Sequence, residues 1–226
     1  LHSISDQLES GLKALQVPAT PQQQHLLLDY LQLLKKWNKT YNLVADASDS
    51  VLLYRHLLDS IAIAPYVNAL SVLDVGAGGG FPGVPLAILK PTTRFILVDS
   101  NGKKARFLFQ VKAALSLANL DVENCRIEHY QSDSQIDIVT CRAFSSLPDI
   151  LQKIAPLLSE KSHLLAMKGQ LPEAEIKEIG PEFEVAGVYR LNVPVQASEQ
   201  PDGCPDESKE VERHLIDIIP HPGFIR

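Results

Sequence analysis

Apolar residues recur at steps of three and four through Leu26, Leu27, Tyr30, Leu31, Leu33, Leu34 and Trp37, the stripe of an amphipathic helix. Thr20 can cap its start, and Pro21 suits the first helical position. A second stripe, Val51, Leu52, Tyr54, Leu57, Leu58 and Ile61, predicts a helix over 50–64 that Pro65 ends. Residues 1–70 are therefore expected to form an N-terminal helical extension. From Ser71 the pattern changes to short continuous apolar runs. Val72-Leu73-Asp74-Val75 and Phe95-Ile96-Leu97-Val98 read as buried strands, with further strands over 122–128, 136–141 and 163–168. Helices over 102–117 and 147–158 separate them. Strands alternating with helices predict an α/β core over 71–226, with a doubly wound, mainly parallel sheet. Strand-like stretches at 184–191 and 211–219 are expected to add an antiparallel pair at one edge.

Between those last two stretches, 196–210 is rich in Pro, Gly, Ser and acids and reads as an acidic loop. It changes the meaning of the net charge of −6. Over 196–212, Glu199, Asp202, Asp206, Glu207, Glu210 and Glu212 are offset only by Lys209, so the body of the chain is near neutral and can carry a basic face. With 45% hydrophobic residues among 226, a sizeable core is available and whole-chain disorder is excluded. Cys125, Cys141 and Cys204 have no CxxC spacing, which argues against a disulfide framework and a zinc ribbon. No metal site is expected, because the histidines lack H-E-x-x-H spacing. There is no apolar run of membrane-spanning length and no signal-peptide pattern, so a cytoplasmic protein with no membrane partner is expected. Monomer is the default state.

The densest chemical signal is Asp74-Val75-Gly76-Ala77-Gly78-Gly79-Gly80-Phe81-Pro82-Gly83. A strand runs into glycines at the sheet edge where doubly wound folds bind ligands, and bare backbone can lie against a ligand. Dinucleotide sites need a third glycine where this chain has Phe81. The D-x-G-x-G-x-G pattern instead resembles motif I of the S-adenosylmethionine-dependent methyltransferases. That donor has no pyrophosphate, and its charged amine suits the acid Asp74. Asp99, ending the next strand, can accept both ribose hydroxyls of an adenosine, or can serve only as a helix cap before Asn101-Gly102.

Further blocks narrow the resemblance. They are Lys36-Trp37-Asn38-Lys39-Thr40-Tyr41-Asn42-Leu43, Arg55-His56-Leu57-Leu58-Asp59-Ser60, Phe81-Pro82-Gly83-Val84-Pro85-Leu86, Cys141-Arg142-Ala143-Phe144-Ser145-Ser146-Leu147, Met167-Lys168-Gly169-Gln170 and Glu212-Arg213-His214-Leu215. Together they resemble the bacterial 16S rRNA guanine-N7 methyltransferases, the glucose-inhibited division protein B family. The resemblance implies a Rossmann-like class I methyltransferase with S-adenosyl-L-methionine as cofactor. It implies 16S rRNA or the small ribosomal subunit as partner, and N7 of guanine 527 as target. It also places the donor around Gly76, Phe81, Ile127, Glu128 and Arg142, with Ile127-Glu128 at the third strand's end holding the adenine.

The residues agree with that chemistry. Guanine N7 has a lone pair and no proton, so its attack needs no general base, only alignment and exclusion of water. The fourth strand's end reads Thr140-Cys141-Arg142-Ala143, without the N/D-P-P-Y motif used on exocyclic amines. Cys141 reads as a small core residue more readily than as a nucleophile. Arg142 and Lys168 are the catalytic candidates. Paired guanidinium donors can orient guanine O6, a phosphate or a cofactor carboxylate, although a structural salt bridge would also explain Arg142. RNA contact needs local positive charge, and Lys36, Arg55, His56, Lys103, Lys104 and Arg213 are the candidates. Trp37 reads as a core anchor. The competing readings are a methyltransferase for another RNA position, a small molecule or a protein, and a non-catalytic adenosine-binding module.

Overall fold

The computed structural model describes residues 3–195 and 212–223. The acidic loop expected over 196–210 lies outside the described residues. Two capped helices come first. In α1 (Ile4–Ala14) and α2 (Pro21–Tyr41), Ser3 and Thr20 each form a capping box, with Asp6 and Gln23 respectively. Asn42, in the left-handed region at φ 49°, ends α2.

The segment expected as one ordinary helix over 50–64 is wound differently. Val51–Leu58 is a π-helix that runs into α3 (Asp59–Ile61), and Pro65 lies inside a further 3-10 turn, Ala64–Tyr66. Leu52 with Leu53, and Leu57 with Leu58, are two adjacent pairs five residues apart, and all four are at most 1% exposed. At 3.6 residues per turn, positions five apart point about 140° away from each other. The wider winding lets both pairs face the core together.

The sheet contains β1 (Ser71–Val75), β2 (Arg94–Val98), β3 (Leu120–Glu123), β4 (Ile138–Arg142), β5 (His163–Lys168), β6 (Phe183–Arg190) and β7 (His214–Pro220). Its order is β3-β2-β1-β4-β5-β7-β6. The first five strands are parallel, and β7 enters antiparallel between β5 and the edge strand β6. The expected antiparallel pair is present. β3 is shorter than the expected 122–128, because its register against β2 ends at Glu123.

Side chains alternate between two apolar layers. Val72, Phe95, Leu97 and Ile138 face one cluster, which holds α4 (Gly83–Leu89), α5 (Gly102–Ala114) and the N-terminal helices. Leu73, Val75, Ile96, Val98 and Val139 face the other, against α6 (Leu147–Ile154) and the residues around α7 (Glu173–Lys177). This is the doubly wound arrangement that the sequence predicts. It leaves β1 and β4 as neighbours whose chains leave toward opposite faces of the sheet, the switch point whose carboxyl ends bound the crevice that doubly wound folds use for ligands.

Candidate functional site

The crevice is built on the turn after β1. Gly76, Gly78 and Gly80 have φ of +70°, +59° and +97°, a region that L side chains rarely adopt. Gly76 and Ala77 donate their N–H groups to Val98 O at 2.9 and 3.2 Å, which holds the turn against the end of β2. A Cβ at Gly76 would run into the Phe144 ring. Backbone conformation at Gly76, Gly78 and Gly80, and the Phe144 ring at Gly76, therefore keep these three positions free of side chains.

Two carboxylates define its sides. Asp74 is fully buried and accepts from Gly83 N at 2.9 Å and Thr140 Oγ1 at 3.2 Å. Burial pushes its pKa up to about 7, against the pull of those two donors. Its carboxyl thus braces the turn from beneath. Asp99 is 7% exposed and accepts from Gly78 N and Asn101 N, both at 2.8 Å. Each carboxylate oxygen has a second lone pair for a ligand hydroxyl. The helix cap ahead of α5 is Asn101, which accepts from Lys103 N and Lys104 N. Asp99 instead closes the glycine turn.

Phe81 is buried beside the turn, 5.1 Å from the His56 ring and 5.3 Å from Tyr30. The Arg142 guanidinium lies over its ring, 5.1 Å from the centroid. Arg142 Nη1 also donates to Asp59 Oδ2 at 3.1 Å and Arg55 O at 3.4 Å, and Nη2 pairs with His56 Nδ1 at 3.1 Å. Burial, then the nearby Arg142 charge, lowers the His56 pKa to about 4, so the ring is neutral and Nδ1 accepts from Arg142. Arg213 Nε donates to the other oxygen of Asp59 at 2.7 Å.

The other expected site residues fall at varied distances from this centre. Ile127 is buried and Glu128 exposed in a 3-10 turn, Ile127–His129, past the end of β3; Glu128 pairs with Lys153 at 3.4 Å. Lys168, at the end of β5, donates to Glu175 Oε2 at 2.8 Å and Ser145 O at 3.1 Å. Glu175 Oε2 also accepts from Leu147 N at 2.7 Å, so this ion pair fastens the β4–α6 loop. Lys104 Nζ reaches to 4.0 Å from the Cβ position of Gly78, whereas Lys36 and Lys103 are exposed on the neighbouring helices α2 and α5. Trp37 stacks on Tyr41 at 5.2 Å and packs on Phe107 as a core anchor. Burial pushes the Cys141 thiol up to about 12, which leaves no thiolate for attack at neutral pH.

Sequence reasoning passed over three residues that matter here. Asp59 sits in an apolar run, Leu57-Leu58-Asp59-Ser60-Ile61, and an acid there signals a buried, paired carboxylate. Tyr30 reads as core, yet its hydroxyl donates to Gly79 O at 2.5 Å. Phe144, 37% exposed, covers Gly76. No local pattern marks the last two contacts.

A strand order with β7 inserted antiparallel, a glycine turn after β1 and an acid after β2 define a class I methyltransferase of Rossmann-like fold. Solved structures agree on the fold. Mitomycin 7-O-methyltransferase MmcR superposes with a TM-score of 0.58 at 16% identity, covering 85% of this chain and 60% of that one. TYW2 of P. horikoshii, in complex with MeSAdo, gives 0.53 at 10% identity over 73% and 62%. A family model described as rRNA small subunit methyltransferase G matches residues 23–204, and the chain belongs to that family. Relatives named ribosomal RNA small subunit methyltransferase G share 46% identity in Stutzerimonas stutzeri, over 95% of this chain and 94% of that protein. The relative in Hahella chejuensis shares 41%, over 97% and 94%. The chain is therefore an rRNA methyltransferase, and its donor is S-adenosylmethionine.

Proposed function

We propose that this crevice transfers a methyl group from S-adenosylmethionine to N7 of a guanine in 16S rRNA, guanine 527 by family resemblance. Gly76, Gly78, Phe81, Asp99, Ile127 and Glu128 form the donor pocket, and Asp74 supports it from beneath the glycine turn rather than by meeting the donor's amine. The donor supplies an electrophilic methyl carbon on a sulfonium. The chain's own part is to orient and to exclude water. Bare backbone at Gly76 and Gly78 lets an amino-acid end approach closely, and Asp99 offers oxygens to ribose hydroxyls. Arg142, fixed at the end of β4, presents guanidinium N–H groups to the acceptor base. Lys168 acts through Ser145 O and Glu175 to hold the loop that carries Phe144. Arg55, Arg213, Lys36, Lys103 and Lys104 attract the RNA backbone. The small ribosomal subunit, in the bacterial cytoplasm, is the partner.

The observation that carries this reading is the character of the polar groups at the crevice. His56 is a weak base, the Cys141 thiol holds its proton, Lys168 is engaged in an ion pair, and Asp74, with a pKa of about 7, is fully buried with both oxygens hydrogen-bonded. That set suits an acceptor with nothing to deprotonate. The test is labelled methyl transfer to 30S subunits and to naked 16S RNA from a strain lacking the gene, with N7-methylguanine mapped by strand scission. Product at a ribose hydroxyl or an exocyclic amine would contradict it. Arg142→Ala is expected to lower turnover at least about tenfold, with the fold intact by circular dichroism.

A further inference from the structure

Asp59 stands at the end of the π-helical segment, with its side chain 4% exposed. It is 83 residues from Arg142 and 154 from Arg213, yet it takes one hydrogen bond from each on separate oxygens. The other Arg142 hydrogen bonds go to the same segment, to Arg55 O and the neutral His56 ring, which itself stacks on Phe81. The planar guanidinium is thus held at its edge by a carboxylate, a carbonyl and an imidazole, and on its face by a phenyl ring. A flexible side chain is left with one orientation.

The charges support a purpose beyond packing. Two guanidiniums meet one carboxylate and one uncharged histidine. Buried ion pairs stabilise folds poorly, since apolar replacements are often neutral or better. Asp74 and Asp46 also act on this group by charge, but their hydrogen bonds go elsewhere, so the bracket is well suited to hold guanidinium donors toward an electron-rich ligand such as a guanine edge or a phosphate.

We propose that Asp59 is a positioning residue for methyl transfer, acting through Arg142 alone: one oxygen fixes the Arg142 guanidinium, and Arg213 holds Asp59 in place from the other oxygen. This rests on the reading that Arg142 faces the acceptor. The experiment is a double-mutant cycle on the full chain, with kcat and KM measured on 30S subunits and melting followed for every variant. Asp59→Asn keeps the shape and removes the charge. It is expected to lower kcat at least about tenfold alone, but less than about twofold in an Arg142→Ala background, because the partner it positions is gone. Its KM for S-adenosylmethionine should change little.

Equal fold-losses in both backgrounds would mark a merely structural role and overturn the inference. Normal turnover of Asp59→Asn beside an impaired Arg142→Ala would overturn it alone. Normal turnover of Arg142→Ala would overturn the underlying reading and the inference with it. Should Asp59→Asn not fold, Arg213→Gln removes the opposite arm of the bracket and is read in the same cycle. Its kcat loss must vanish without Arg142 for the inference to stand.

Discussion

Asp74 and His56 lie near one crevice and respond to pH in opposite senses. The folded pKa of Asp74 is raised from 3.8 to about 7, so the folded chain keeps a proton that the unfolded chain releases. The stability it contributes is full below about pH 4 and is lost as pH rises toward 7, with a slope of at most about 1.4 kcal/mol per unit. His56 is lowered from 6.5 to about 4, so its contribution is present above 6.5 and is lost as pH falls toward 4. Asn at position 74 can still accept from Gly83 N and can donate to Thr140 Oγ1. Asp74→Asn is therefore expected to melt higher than the parent chain, by a margin that widens from pH 4 to 7 and is level above. A margin unchanged across that range, measured by calorimetry, would contradict the buried-acid account. The sequence placed Asp74 at the site through its motif. It could not show that the carboxyl lies beneath the turn, because that depends on Gly83 and Thr140 coming together from separate elements.

At the scale of elements, the turn after β1 is as much a packing device as a pocket. A Cβ at Gly83 would stand 2.7 Å from both Asp74 Oδ2 and Leu97 Cδ1. Gly83→Ala should thus push α4 off β2 and cost about 1–3 kcal/mol, with weaker binding of S-adenosylhomocysteine in calorimetry. α5 carries Lys103, Lys104 and Arg106 in its first turns and no acid from 102 to 114. Lys103→Glu on its exposed face is expected to raise KM for 30S subunits and flatten the salt dependence of RNA binding, while cofactor affinity holds. Lys104 is a poorer probe of RNA contact, because its ammonium reaches toward Gly78. Strand and helix order was legible here, since short continuous apolar runs separated by helical stretches make up the chain after Ser71. The π-helical segment was not, although its signal was present. The paired leucines at 52–53 and 57–58 fit neither period, and the six-residue stripe hid them. β3 stops early for a reason the local sequence lacks, its register against β2.

At the scale of the molecule, the helices before Ser71 share one apolar cluster with β1, α4 and α5. Gln23, already in the cap of α2, also donates to Ile88 O and Leu89 O at the end of α4. The order of apolar patterns, helical stripes before any strand run, led to the expectation of an addition in front of the strands; the packing joins these helices to the sheet. A fragment of residues 71–226 is expected to lack a near-ultraviolet dichroism signal and to bind no S-adenosylhomocysteine. A well-folded fragment with native affinity would show the division to be real. Tyr30 makes the point concrete, because its hydroxyl grips the carbonyl of Gly79 from the preceding layer. The glycine turn after β1 is therefore tied to the helical layer ahead of it. A graft of the sheet onto different leading helices would have to carry Tyr30 with it, so the two layers are inherited as one piece.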